Sequence, residues 1–170
     1  YARETASLDR LSGGRLVAGA VIGVEDEFRS LGEESDPRVR GMMLDEALEV
    51  ITGLWRGEPL EHTGPHYQLD VSAFTPVPVQ QPRIPVWVGC VWPNRRPLQR
   101  AAHWDGVMPL APDSGPGSQT LVEITRGVRE IVREYRATDA PFDVLVYGET
   151  PGDDPAAWEA LIGPHILAGG

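Results

Sequence analysis

The hydrophobic positions of this chain switch between two rhythms: short continuous apolar runs, and stretches with apolar residues three or four apart. The first rhythm marks buried strands and the second amphipathic helices. Ala2 to Leu11, with Ala6, Leu8 and Leu11 apolar, predicts a helix ended by Ser12-Gly13-Gly14. Arg15 to Gly23 predicts a buried strand closed by glycine. Asp36-Pro37 supplies a cap with proline at the first helical position, and Leu44, Leu48, Ile51 and Trp55 continue at helical spacing as far as Gly57. Glu61 to Leu69 alternates around Gly64-Pro65 and predicts a small hairpin. Pro76, Pro78, Pro82 and Pro85 forbid helix between Thr75 and Pro85.

Val86 to Gly89 then predicts a second core strand, Asn94 to His103 a helix, and Asp105 to Pro109 a third strand. Thr120 and Glu123 form a capping box for a helix whose face carries Leu121, Ile124, Val128, Ile131 and Tyr135. Phe142 to Tyr147 predicts a fourth strand, and Asp154-Pro155 caps a last helix bearing Trp158, Leu161 and Ile162. Four successive strand–helix units predict an α/β fold, a parallel sheet wrapped by helices. A closed (β/α)8 barrel needs about 250 residues. The 170 residues here, read as one partial domain over 1–170, supply about four βα units. The chain begins at Tyr1 inside a predicted helix, so it is expected to be a fragment or to have lost its beginning.

Charge narrows the chemistry. All 15 basic residues are arginine, which removes Schiff-base and general-base lysines from consideration. A net charge of −10 argues against a nucleic-acid partner, which needs a clustered basic surface. The longest apolar run, Leu16 to Val24, is far below a membrane span and lacks a signal-peptide layout, so no membrane is expected and the cytoplasm is the default compartment. The lone Cys90 excludes an internal disulfide and any multi-cysteine metal site.

The stretch with the clearest candidate chemistry is Pro85-Val86-Trp87-Val88-Gly89-Cys90 followed by Asn94-Arg95-Arg96-Pro97. An apolar strand runs into a predicted glycine turn at Gly89-Cys90, and a helix opens on Asn94 beside two arginines. Backbone N–H groups and the positive helix end would converge there, as a phosphate seat requires, and a guanidinium could clamp the anion. A plain tight strand–helix connection reads the same residues equally well, with Arg96 and Arg100 as solvated helix-face arginines. Gly23 to Glu27 lies at the predicted C-terminal tip of a strand, where Glu25, Asp26 and Glu27 either orient a substrate or form a solvated acidic loop.

His62 and His66 sit around a turn without a third ligand, so no metal is expected. His103 reads as a cap for helix carbonyls. Cys90 reads either as a reactive thiol at a helix start or as a small buried residue filling a turn. The tryptophans read mostly as core. No serine occupies a nucleophile elbow and no glycine-rich loop resembles a triphosphate cradle, which leaves hydrolase and kinase readings without support.

Several segments together carry a family resemblance. They are Leu8-Asp9-Arg10-Leu11-Ser12-Gly13-Gly14-Arg15, Glu27-Phe28 with Leu31-Gly32, Arg40-Gly41 with Asp45-Glu46, and Leu54-Trp55-Arg56-Gly57-Glu58-Pro59. His62-x-Gly64-x-His66-Tyr67, Pro78-Val79-Gln80-x-Pro82 with Ile84 to Gly89, and Trp104-Asp105-Gly106 complete the set. In this order and spacing the chain resembles the luciferase-like monooxygenase family from Leu8 to about Pro155. The resemblance implies a (β/α)8 barrel that binds FMN or the deazaflavin coenzyme F-420 at the C-terminal ends of its strands. It implies hydride transfer or oxygen insertion on a small organic substrate.

It also implies that the four strands here are the fourth to seventh of the barrel, with the first three and the eighth outside this chain. Two positions depart from the family pattern. A strand that tends to carry Gly-x-Gly-x-Gly reads Gly19-Ala20-Val21-Ile22-Gly23, and a turn that is often Gly-Gly reads Gly89-Cys90.

The residues expected to border a cofactor are therefore Gly23, Glu25, Gly89, Cys90, Asn94 and Arg95, with no catalytic acid or base named. The function expected is a flavin- or deazaflavin-dependent oxidoreductase of monooxygenase type, or a truncated form of one that holds no cofactor. The alternative is a non-catalytic half-barrel stable as a homo-oligomer such as a homodimer, since four parallel strands leave two open edges and an uncovered apolar face.

Overall fold

A computed structural model describes residues 1–110, 119–147 and 154–167. Within the expected single domain the chain forms two compact units, residues 1–85 and 86–170. The first unit opens with helix α1 (Ala2–Ser12), which ends as its glycines predict. Gly13 adopts φ 68°, and the N–H groups of Gly13 and Gly14 turn back to the carbonyls of Arg10 and Asp9. Strand β1 (Ala18–Ala20) is much shorter than the apolar run from Arg15 to Gly23.

The ends of that run are drawn off by side chains. Arg15 N–H donates to Ser12 Oγ, the Leu16 carbonyl accepts from Gln80 Nε2, and the Ile22 carbonyl accepts from Arg40 Nε. Gly23 then turns the chain at φ 74°.

Helix α2 (Glu25–Ser30) stands where the sequence suggested a loop. Glu25, Asp26 and Glu27 fill its first turn, where the helix dipole favours negative charge, and Arg29 pairs with both Glu25 and Asp26. Six residues are too few for an apolar periodicity to reveal. Helix α3 (Pro37–Leu54) starts as predicted, with Asp36 Oδ1 accepting the Arg38 N–H at 2.7 Å, and Trp55 is its C-cap. The indole N–H of Trp55 donates to the Ala2 carbonyl at 3.0 Å and so ties α3 to α1.

The predicted hairpin is present as antiparallel β2 (Leu60–Thr63) and β3 (Gln68–Val71), in register Leu60 with Val71 and Thr63 with Gln68. Its anchor is Glu46 on α3, whose carboxylate accepts the N–H groups of His66 and Tyr67 and lies 2.9 Å from His62 Nε2. Gly64 has no room for a side chain, because a Cβ there would fall 1.9 Å from Glu46 Oε1. The proline-rich stretch is non-helical as expected, and buried Asp9 of α1 holds it through the N–H groups of Val79 and Gln80.

The second unit is a parallel sheet of β4 (Val86–Val91), β5 (Gly106–Leu110) and β6 (Asp143–Val144). Trp87 pairs with Gly106 and Val91 with Leu110, while Gly106 pairs with Asp143. Helices α4 (Arg95–Ala101), α5 (Gln119–Tyr135) and α6 (Pro155–Leu167) follow the three strands in turn. Val88, Cys90, Leu98, Val107, Ile124, Val128 and Val144 belong to one buried core, with Trp92 and Trp104 packed against it. Trp158, by contrast, is exposed.

The α5 helix begins at Gln119, so Thr120 is already helical, and its cap falls outside the described residues. Asp154 caps α6 as expected, accepting the N–H groups of Ala156 and Ala157. Apart from the β2–β3 hairpin, the strands number four among the described residues, β1, β4, β5 and β6, each followed by a helix. The architecture is thus a partial (β/α)8 barrel of about four βα units, as the sequence predicted.

Candidate functional site

In parallel strand–helix folds, binding groups gather at the C-terminal ends of strands. Here that edge is formed by Val91 and Leu110 and by the turn joining β4 to α4. Alternation along β4 sends Val86, Val88 and Cys90 into the helix-covered core and Trp87, Gly89 and Val91 to the opposite face. Parallel register sets Gly89 beside Met108 and Val91 beside Leu110 on that second face. Val91 and Leu110 are 45% and 52% exposed, so the face is open at its C-terminal end.

The turn itself is displaced from its predicted place. Gly89 and Cys90 both lie inside β4, because the ladder continues until Trp92 N–H donates to the Leu110 carbonyl at 2.9 Å. The chain reverses at Trp92-Pro93-Asn94, closed by Asn94 N–H to the Val91 carbonyl at 2.9 Å. Trp92 pins this turn onto α5, where Gly127 leaves it room; a Cβ at Gly127 would sit 2.5 Å from the indole.

The residues proposed from sequence now have definite surroundings. Gly89 keeps its backbone on the open face. Cys90 is 5% exposed on the core side, and burial pushes its thiol pKa up to about 11, which keeps it a protonated, packed group. Asn94 is the N-cap of α4 by position, but its side chain makes no capping bond, so its amide is not spent on the helix. Arg95 turns its guanidinium to α5: Tyr135 and then the Glu134 charge hold it protonated, and Arg95 pairs directly with Glu134. Pro97 in the same first turn has no N–H, which leaves Arg95 and Arg96 to supply the amides there.

Gly23 and Glu25 belong to the other unit. Gly23 follows β1 at positive φ, and Glu25 opens α2 with its carboxylate paired to Arg29.

A phosphate-bearing cofactor fits this edge in part. The Asn94 amide, which makes no capping bond, and the first-turn N–H groups of Arg95 and Arg96 suit an anion or a carbonyl-bearing ring, while Gly89 leaves room against the sheet face. The Cys90 thiol and the Arg95 guanidinium are engaged elsewhere. Gly89 to Arg95 contains no carboxylate and no imidazole. The stretch can position a ligand and exclude water from it, but it cannot shuttle protons. Among the described residues no group of three or more His, Cys, Asp or Glu side chains could hold a metal ion. No helix among them is long and apolar enough to cross a membrane.

Sequence reasoning quoted Phe28 and Arg40 only as parts of the family resemblance and missed the contact between them. The Arg40 guanidinium carbon lies 3.1 Å from the Phe28 ring centroid and joins the loop after β1 to α3. The available signal was an aromatic residue set in the acidic stretch Glu25 to Glu34.

Parallel strands that alternate with helices, with an apolar face open at the strand C-termini, define a piece of a β/α barrel. Comparison with known proteins sharpens that class. The chain belongs to the luciferase-like monooxygenase family, whose model matches residues 1–168. It is 35% identical over 94 residues to the oxygenase component of the flavin-dependent trigonelline monooxygenase of Acinetobacter baylyi, covering 55% of this chain and 26% of that protein.

Among solved structures, the monooxygenase RslO1 from Streptomyces bottropensis superposes with a TM-score of 0.63 at 22% identity, over 99% of this chain and 51% of the other. An F420-dependent secondary alcohol dehydrogenase, solved with an F420–acetone adduct, gives a TM-score of 0.66 at 20% identity, over 94% and 48%. At such identities the superpositions establish the fold. The chain spans about half the length of these solved relatives, and its 94 matched residues cover about a quarter of the curated one.

Proposed function

We propose that this chain is the part of a flavin- or deazaflavin-dependent oxidoreductase that holds the phosphate-bearing end of the cofactor and one wall of its pocket. The observation that carries the reading is the family match over residues 1–168, on a sheet whose β4 end, Gly89 to Arg95, carries positioning groups and neither carboxylate nor imidazole. FMN or coenzyme F-420 would supply the redox chemistry, hydride transfer or oxygen insertion, once bound. The chain's own contribution is to seat and orient the cofactor, through the room Gly89 leaves against the sheet face and through the Asn94 amide. Cys90 contributes through its backbone and its packing, and Arg95 through its backbone N–H. Gly23 and Glu25 serve the strand end of the other unit. A small organic molecule is the substrate in this reading. The flavin-dependent relative and the F420-dependent structural neighbour both support it.

Titration of the purified chain with FMN, and separately with F-420, tests the proposal. Saturable perturbation of either absorbance spectrum with a Kd on the order of 1–100 μM is expected, about 5 to 8 kcal/mol of binding free energy. Asn94→Ala should weaken that affinity by about threefold to tenfold, the worth of one or two hydrogen bonds. Unchanged spectra with both ligands at millimolar concentration would refute the reading.

A second reading, a non-catalytic assembly of copies, is favoured by the exposure of Val91 and Leu110 on the open sheet face. A tight dimer that binds neither ligand would establish it, and a ligand-binding monomer would exclude it. Sedimentation velocity alongside the titration separates the two.

A further inference from the structure

We propose that Arg40 is a positioning residue for the strand end of the first unit. Its guanidinium fixes the segment 22–34, on which Gly23 and Glu25 ride. The inference rests on the cofactor-binding reading above. Arg40 lies in the first turn of α3, downstream of everything it holds. Its Nε donates to the Ile22 carbonyl at 2.6 Å, where the chain leaves β1. Its Nη1 donates to the Glu34 carbonyl at 3.0 Å, where the chain approaches α3. Between those two ties its flat face covers the Phe28 ring, with 3.1 Å from the guanidinium carbon to the ring centroid.

One side chain therefore holds the start, the middle and the end of the segment. Each tie uses a different property of guanidinium: two donors in a fixed fork, and a planar cation that stacks on an aromatic ring.

Gly23 takes part in the same arrangement. A Cβ at this position would lie 2.2 Å from Phe28 Cε2, on a backbone already at φ 74°. Any side chain there would displace the ring from beneath Arg40 as well as strain the turn. The glycine is therefore required by the packing of α2 as well as by the turn. The segment otherwise has little to order it: α2 has no buried residue, and its ion pairs to Arg29 lie on the surface. Loss of Arg40 would free the whole segment together, because its remaining contacts are weak and local. Lysine could keep the charge, but a single ammonium cannot reach both carbonyls and also present a planar face to the ring.

The test uses the 170-residue chain as it stands, in wild-type form and as Arg40→Ala, Arg40→Lys and Phe28→Leu, with Arg126→Ala on α5 as a charge-loss control. Amide hydrogen exchange over residues 22–34 is measured beside the FMN and F-420 titrations and the thermal midpoint. Arg40→Ala should raise exchange in 22–34 by about tenfold or more while α1 keeps its protection. It should also weaken cofactor affinity by about fivefold or more, with Arg40→Lys close to Arg40→Ala in both readouts. Phe28→Leu should fall between wild type and Arg40→Ala, and Arg126→Ala should match wild type.

The proposal is overturned if exchange in 22–34 is unchanged in Arg40→Ala, or if exchange rises while affinity stays at the wild-type value. Full recovery of both readouts by lysine would also overturn it, since charge alone would then suffice. If the wild type binds neither FMN nor F-420, the functional reading fails and takes the role of Arg40 at that site with it. The exchange data still report the fate of the clamp by themselves, so the two failures are told apart.

Discussion

Asp9 offers a direct test of how the first unit is held together. Its side chain is fully buried. Oδ2 accepts the Val79 N–H at 2.7 Å and the Gln80 N–H at 3.1 Å, while Oδ1 accepts Gln80 Nε2 at 2.7 Å. Gln80 Nε2 also donates to the Leu16 carbonyl at 2.7 Å, so that amide has a second acceptor. In Asp9→Ala the Gln80 side chain keeps Leu16, but the Val79 and Gln80 N–H groups both lose a charged partner. At about 1–3 kcal/mol for each of the two donors left unsatisfied, the loss should be about 2–6 kcal/mol. That is a large part of the roughly 5–15 kcal/mol that holds an ordinary domain.

Asp9→Asn should cost less. The amide oxygen can replace Oδ2 for both backbone donors, and Gln80 can rotate its amide to accept from the new NH2. The rotation gives up the Leu16 bond, a loss of about 1–2 kcal/mol. Urea denaturation followed by circular dichroism gives both values from the midpoint, provided the slope is unchanged. Hydrogen exchange at Val79 and Gln80 locates the effect. The reasoning fails if Asp9→Ala loses less than about 1 kcal/mol, or if Asp9→Asn costs as much as Asp9→Ala.

Glu46 and Cys90 give two further predictions. Burial raises the Glu46 carboxyl pKa, but the bonds from His62, Tyr67 and His66, with the His66 charge, outweigh it and hold the group below its ordinary 4.5. A carboxyl whose folded pKa is depressed adds stability that is fully present above its unfolded value. Protection of β2 and β3 should therefore be constant above pH 4.5 and fall as the pH drops below it; Glu46→Gln should remove that slope, and an unchanged slope would count against the anchor. Cys90, with its thiol raised to about 11 by burial, should resist a disulfide reagent at pH 8 in the folded chain and react fully once unfolded in urea. Native reactivity near that of a free thiol would show that β4 does not bury it.

The sequence made the larger elements legible wherever local chemistry and hydrophobic period agreed. Asp36 before Pro37, Asp154 before Pro155 and Gly13 after Ser12 act at the predicted helix ends. The hairpin turns at Gly64-Pro65, and the prolines from Pro76 to Pro85 exclude helix as expected. What was illegible depended on partners distant in sequence. Strand β1 contracted because Gln80 and Arg40 claim the carbonyls of Leu16 and Ile22. Strand β4 outran the predicted turn because Leu110 offered it one more bond. At the candidate site, Arg95 reads from sequence as an anion clamp. Its pairing with Glu134, thirty-nine residues away, has no signature along the chain.

The segments that identify the family turn out to be ties within the fold. Asp9 of Leu8-Asp9-Arg10 holds the proline-rich stretch, Trp55 of Leu54-Trp55-Arg56 ties α3 to α1, and Glu46 with Gly64 seats the hairpin. In Trp104-Asp105-Gly106, Asp105 Oδ2 accepts the Val86 N–H at 2.7 Å and Gly106 makes room for Trp87. A Cβ at Gly106 would lie 2.6 Å from that indole and 2.8 Å from the Asp143 carbonyl. These last contacts sit at the N-terminal ends of β4 and β5, the side of a β/α barrel that carries stability rather than chemistry. A signature made of such ties identifies how the barrel is built while leaving its reaction free to vary. Selection for a particular reaction would therefore act at the opposite strand ends, on Gly23 to Glu27 in one unit and Gly89 to Arg95 in the other. Of the two departures from the family's glycine patterns, Val21 lies beside the first segment and Cys90 within the second. Val21 is exposed just past β1, and Cys90 turns its side chain away from the open face, so each changes the surroundings of a strand end without disturbing a tie.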